Sequence, residues 1–209
     1  MPLHLDSLIF DLDGTLWDAT ATVLEGFHQA KKRVDFVHND LTPETLQAVT
    51  GQPYPVVYER LFPHLTAEQR EKFHGICSEE ELNSARQQGG RLYPQLLETL
   101  AYLASKYRLF IVSNCQTGYI EAFLQHSGAG QYIEGHQCFG TKNLPKADNV
   151  REIIEQFGLQ HPAYVGDTDG DYQASRANGI PFLFAAYGFG QVPEYEARLE
   201  QLSDLRKLL

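Results

Sequence analysis

Ser7-Leu8-Ile9-Phe10-Asp11-Leu12-Asp13-Gly14-Thr15 decides how this chain is read. A short apolar run of this length suits a buried strand. It passes directly into two carboxylates two positions apart. Alternate residues of an extended segment share a side, so Asp11 and Asp13 can face one pocket. Two carboxylates held that close repel each other, and removing each from water costs on the order of several kcal/mol. They need a cation, a shared proton, or both. A hard divalent ion with oxygen ligands is the natural partner.

Working outward, four further apolar runs have the length of buried strands: Leu109–Val112, Gln137–Phe139, Ala163–Val165 and Pro181–Phe184. Helical patterns separate most of them. Val150, Ile153, Ile154 and Phe157 repeat at helical spacing up to Gly158; Tyr119, Ile120, Phe123 and Leu124 do so up to Gly128. Pro94 opens a third pattern through Leu96, Leu97, Leu100 and Leu103. Alternation of this kind predicts an α/β fold, a Rossmann-like parallel sheet covered on both faces. Ligands of such sheets bind at the carboxyl ends of the strands, near the switch point.

Residues 16–90 break the alternation with helix signals only. Thr42-Pro43 is an N-cap followed by proline at the first helical position. Thr66-x-x-Gln69 and Ser78-x-x-Glu81 have the form of capping boxes, and Gly89-Gly90 closes the last helix. The expected layout is a core of residues 1–15 and 91–209, with a small α-helical cap of residues 16–90 inserted after the first strand.

A second acidic cluster, Gly166-Asp167-Thr168-Asp169-Gly170-Asp171, follows the fourth apolar run. Two such clusters at the ends of parallel strands can meet at one metal. Neither is a calcium loop, which needs Gly at its sixth position and Glu at its twelfth. Counting from Asp11 those positions hold Leu16 and Thr22; counting from Asp167 they hold Tyr172 and Asn178. Ser113-Asn114 ends the second strand just before a helix, where a hydroxyl and backbone N–H groups suit a phosphate. Lys146 starts the next helix, where a cation opposes the helix dipole. That position makes sense if Lys146 faces an anion.

In this order, Asp11-Leu12-Asp13-Gly14-Thr15, Ser113-Asn114, Lys146 and Gly166-Asp167-x-x-x-Asp171 resemble the four motifs of the haloacid dehalogenase superfamily. The resemblance spans nearly the whole chain. Leu92-Tyr93-Pro94, at the return from the helical insert, resembles the phosphoglycolate phosphatase-like branch. One departure is Ala147 after Lys146, where many relatives have proline; Lys142 is a weaker candidate for the same role. The resemblance implies a Mg²⁺-dependent phosphatase acting on a small phosphorylated metabolite. Asp11 would be the nucleophile, and Asp13 the acid and then the base. Ser113, Asn114 and Lys146 would bind the phosphoryl group. Asp11, Asp13 through its backbone carbonyl, Asp167 and, through water, Asp171 would hold the metal.

Asp13 narrows the choice within that family. Members that release a halide or cleave a phosphonate lack the second carboxylate, whereas phosphatases and phosphomutases keep it. A β-phosphoglucomutase-like mutase is therefore the enzymatic rival, and a catalytically silent regulator on the same fold is a rival of another kind. The Gly51-Gln52-Pro53-Tyr54 break in the helical pattern is expected to dip toward the site, with Gln52 or Tyr54 touching the leaving group. Thr15–Ala19 and Gln88–Leu92 are expected to act as hinges.

Bulk properties exclude other classes. The 209 residues carry a formal net charge of −10, and Lys31-Lys32-Arg33 is the one basic cluster, read as the solvated end of a helix. No nucleic acid partner is expected from such a balance. No apolar run approaches the roughly 18 to 20 residues of a membrane span, so no membrane partner is expected. No HxH or HExxH occurs among the eight histidines, which argues against zinc. Three cysteines without CxxC spacing fit reduced thiols in a cytoplasm. Cys115 reads as a buried inert thiol, and Trp17 as a hinge or core residue. Gly188-Phe189-Gly190 reads as a loop after the last strand, and Leu199 to Leu209 as a docking helix. The protein is expected to be a monomer or homodimer.

Overall fold

A computed structural model describes residues 4–209. In chain order its elements are β1 (Ser7–Phe10), β2 (Trp17–Asp18), α1 (Thr20–Lys31), α2 (Pro43–Gln47), α3 (Tyr54–Leu61), α4 (Ala67–Gln88) and β3 (Arg91–Leu92). Then come α5 (Leu96–Ala104), β4 (Arg108–Ser113), α6 (Tyr119–Ser127), β5 (Gly135–Cys138), α7 (Phe139–Lys142) and α8 (Lys146–Phe157). β6 (Pro162–Gly166), α9 (Asp169–Ala177), β7 (Phe182–Ala185), β8 (Ala197–Leu199) and α10 (Leu205–Leu208) complete the chain.

Six strands form a parallel sheet in the order β5-β4-β1-β6-β7-β8. β1 lies at its centre because its side chains have no solvent face to serve. Leu8 and Phe10 enter one core with Leu109, Ile111, Val165 and Leu183. Ile9 enters the other with Phe110, Val112, Tyr164 and Phe182. This period-two split is why the strands read as unbroken apolar runs. From β1 the chain reaches β4 and β5 on one side, then crosses to β6, β7 and β8 on the other. The switch point therefore lies at the carboxyl end of β1.

Between β2 and β3 the chain is helical and keeps its own apolar cluster of Phe27, Ala30, Val37, Phe62, Leu65, Phe73 and Cys77. β2 and β3 pair antiparallel, Trp17 opposite Leu92 and Asp18 opposite Arg91. The two strands of chain into and out of this region are thus tied together. Arg91 and Asp18 add an ion pair at 2.9 Å.

Several sequence expectations are corrected. Ser78 does not start a helix: α4 runs unbroken from Ala67, and Ser78 Oγ lies 3.1 Å from His74 Nε2 one turn back. Thr66 and Gln69 do form the predicted capping box. The third strand begins at Gly135, and Phe139 already belongs to the next helix. An additional edge strand, β8, follows the glycine-containing loop. The expected C-terminal helix is a 3₁₀ turn, Leu202–Asp204, and the short α10. Lys31-Lys32-Arg33 does lie at the solvated end of α1, where Lys31 pairs with Asp40, and Arg33 with Glu79 and Glu80.

Candidate active site

The carboxyl ends of β4, β1 and β6 are adjacent, because Phe10 pairs with Ile111 on one side and Val165 on the other. The Asp11 N–H donates to the Val165 carbonyl at 2.8 Å, which carries Asp11 one step past the sheet. At Gly14 the chain turns with φ +86°; a Cβ there would lie 2.2 Å from an Asp167 carboxylate oxygen. Glycine is thus required both for the backbone and for the carboxylate beside it.

Asp11, Asp167 and Asp171 are buried, with carboxylate oxygens all within 4.8 Å of one another. Lys146 Nζ donates to Asp11 Oδ1 at 2.9 Å and to Asp171 Oδ1 at 2.6 Å. Asp171 Oδ2 accepts from the Thr168 N–H at 2.9 Å and the Thr168 hydroxyl at 2.6 Å, capping α9. Both of its oxygens are therefore engaged. Asp167 accepts from the Thr15 hydroxyl at 3.2 Å and from the Phe189 N–H at 2.8 Å. Asp13, half-buried, accepts from Trp17 Nε1 at 2.9 Å and the Tyr119 hydroxyl at 3.3 Å.

The charges do not balance. Among the described residues, Lys146 is the one cation paired with the three clustered carboxylates. Burial, with the charge of Asp171, pushes Asp11 up to about 6. Burial, with the charge of Asp11, pushes Asp13 up to about 7. Burial raises Asp167 well above the carboxylate range. Burial alone would lower Lys146, but the charges of Asp11 and Asp171 overcome it and hold the ammonium protonated. A buried, oxygen-only donor set with excess negative charge fits a hard divalent ion such as Mg²⁺.

Ser113 is buried at the end of β4. Asn114 Nδ2 donates to the Gly51 carbonyl at 2.8 Å, so the Gly51-Gln52-Pro53-Tyr54 loop does reach the core. Gly51 has φ +83°, and a Cβ there would meet Thr168 at 3.0 Å. A cavity of about 450 Å³ opens above Asp13, Ser113 and Asn114, and Gln52 and Tyr54 line it. Lys142, the weaker alternative to Lys146, lies elsewhere and pairs with Glu152 at 2.9 Å.

Residues 8–185 match the haloacid dehalogenase-like hydrolase family. The chain belongs to that family. Among this hydrolase's relatives is the phosphoglycolate phosphatase of Aquifex aeolicus, 27% identical over 97% of this chain and 95% of the relative. The phosphoglycolate phosphatase of Agrobacterium fabrum is 26% identical over 94% of this chain and 87% of the relative. A haloacid dehalogenase-like hydrolase of Streptococcus pneumoniae shares the fold, with a TM-score of 0.84 at 20% identity and 97% coverage of both chains.

Sequence reasoning missed part of the hydrolase's site. Trp17 and Tyr119 both donate to Asp13, and Trp17 packs edge-on against Tyr119 at 5.4 Å. Gly188-Phe189-Gly190 is not a plain loop. A Cβ at Gly188 would lie 2.3 Å from Asp167 Cβ, and Phe189 donates its N–H to that carboxylate. Trp17, four residues after Asp13, was the one available signal. The cysteines are free. Burial raises Cys115 far above the ordinary thiol value, and a hydrogen bond from Cys115 lowers Cys138 to about 6. Among the described residues, no helix is long and apolar enough to cross a membrane.

Proposed function

We propose that this hydrolase is a Mg²⁺-dependent phosphatase that cleaves a small phosphomonoester through a phosphoaspartyl intermediate on Asp11. The observation that carries this reading is the buried Asp11–Asp167–Asp171 cluster beside Lys146, under a cavity that Asp13 also lines. The relatives' names support the phosphomonoester class.

Asp11 attacks phosphorus as its carboxylate, and the bond from phosphorus to the leaving oxygen breaks. Asp13, whose carboxyl burial pushes up to about 7, gives its proton to that oxygen. It then takes a proton from the water that cleaves the acyl phosphate, releasing inorganic phosphate and restoring Asp11. The Trp17 and Tyr119 donors fix the Asp13 carboxyl for both transfers. Lys146 orients Asp11 and offsets phosphoryl charge, with the Ser113 hydroxyl and the Asn114 N–H as further donors. Asp11, Asp167 and the Asp13 carbonyl would hold Mg²⁺, with Asp171 acting through water because both its oxygens are taken. When bound, the ion supplies positive charge against the phosphoryl oxygens. Residues 16–90 act as a cap over the core and open at β2 and β3 for exchange. A reducing compartment such as the cytoplasm is the proposed setting, and the three free thiols support it.

The test is phosphate release from a panel of phosphomonoesters, with Mg²⁺ or chelator. Release is expected only with the metal. Asp11→Asn is expected to abolish it while leaving the unfolding transition in place. Wild-type turnover in that variant refutes the nucleophile.

A further inference from the structure

The cavity above Asp13, Ser113 and Asn114 does not have the chemistry of a carboxylate pocket. Its volume, about 450 Å³, lies in the range that takes drug-sized ligands, whereas glycolate has two carbons. Among the described residues, no Lys or Arg lines it. Its two acidic wall groups are Asp13 below and Glu81 of α4, and burial, with the charge of Asp13, pushes Glu81 up to about 8. His74 is the one wall residue that could become cationic. Burial holds its pKa below the usual value, and its ring stacks flat on Tyr54 at 3.6 Å, with Phe139 edge-on to Tyr54 at 5.7 Å. Val23, Leu46, Val49 and Val57 supply apolar wall. Two further wall residues, Gln52 and Asn114, each keep a buried side-chain oxygen without a donor.

Such walls penalise an anion and reward hydrogen-bond donors carried on an apolar or planar frame. Resting on the phosphatase reading, we infer that the alcohol released is uncharged, of nucleoside or sugar size and rich in hydrogen-bond donors, and that Glu81 sets this choice against carboxylate-bearing esters such as phosphoglycolate. Glu81 acts from α4 as a specificity residue: its carboxyl accepts from hydroxyl or amino groups of the leaving alcohol, and the surroundings that penalise its own charge penalise a second carboxylate as well.

The test compares kcat/KM for a nucleoside 5′-monophosphate, a hexose 6-phosphate, phosphoglycolate and an aryl phosphate, in Mg²⁺, with Asp11→Asn as control. At least one of the two uncharged-alcohol esters is expected to exceed phosphoglycolate by about tenfold or more. Which of the two leads tells whether the Tyr54–His74 face stacks on a base or merely borders a sugar. Glu81→Gln is expected to narrow the ratio by about fivefold. Val57→Lys, which adds a cation to the wall, is expected to narrow it further. A purely structural role for Glu81 would lower all four activities together and leave the ratio unmoved. Phosphoglycolate equal to or ahead of both uncharged-alcohol esters in the wild type overturns the inference while sparing the phosphatase reading. No phosphate released by wild type from any of the four esters in Mg²⁺ overturns both.

Discussion

Lys146 faces Asp11 and Asp171 from the first turn of α8, where an ammonium opposes the helix dipole and leaves water completely. Only the two carboxylates make that position tolerable, and only Lys146 makes theirs tolerable. Lys146→Met removes one partner of a buried network and is expected to cost about 3 kcal/mol of stability. Urea unfolding in chelator measures it, and a loss under about 1 kcal/mol would mean that the carboxylates simply take up protons. Asp13→Asn removes the proton carrier but no clustered carboxylate. It is expected to slow turnover about 10²- to 10⁴-fold with little change in stability, read by phosphate release beside a thermal melt. Residues such as Asp11, Asp13, Ser113 and Asp167 were legible in the sequence because each lies at the end of a strand or within three positions beyond it. Trp17, Tyr119 and Phe189 were not, because they act on those carboxylates across 4 to 106 positions of chain, and no local pattern encodes such a contact.

At the scale of elements, local chemistry spoke clearly wherever it was sufficient. The Thr66–Gln69 box was legible because both of its bonds close within one turn. Thr66→Ala is expected to cost about 1 kcal/mol, measured as a shift of the urea midpoint at constant slope. Ser78-x-x-Glu81 has the same spelling, but it lies in mid-helix, where Phe73 and Cys77 dock into the apolar cluster of the helical region. Packing there overrides the capping signal, and Glu81 turns toward the cavity instead. Close approach of α1 and α4 fixes its position: a Cβ on Gly26 would lie 2.6 Å from the Glu81 Cα. Gly26→Ala must therefore spread the two helices, since a backbone atom cannot yield as a side chain can. The expected cost is about 1 to 3 kcal/mol, with an altered ratio of uncharged to carboxylate substrates. An unchanged melt and ratio would show that α1 shifts freely.

For the whole molecule, sheet order and the site's position follow from strand–helix alternation, whereas β8 escaped notice because three residues at a sheet edge carry too little pattern. What alternation does not reveal is how the fold's stability would be linked to the metal proposed for it. Asp11 has an ordinary value of 3.8 and is held at about 6 in the folded chain; Asp167 is raised also. Between those two values the folded chain binds protons that the unfolded chain has shed, so its stability falls as pH rises through that window. Below the unfolded value the penalty is absent, and above the folded value it is complete. A divalent cation bound among Asp11, Asp167 and Asp171 would take the place of those protons. In chelator, the melting temperature is therefore expected to fall between about pH 4 and pH 6.5. In Mg²⁺ at about 100 times its Kd, stability near neutral pH is expected to gain about 2.7 kcal/mol, or roughly 5 to 10 °C. That gain shrinks toward pH 4, where protons compete for the same oxygens. Asp167→Asn should flatten both profiles, because it removes a raised carboxyl and a metal ligand together. A Mg²⁺ gain of equal size at every pH would mean that the ion binds outside this cluster, since only ionised oxygens whose protons it displaces can make its effect depend on pH.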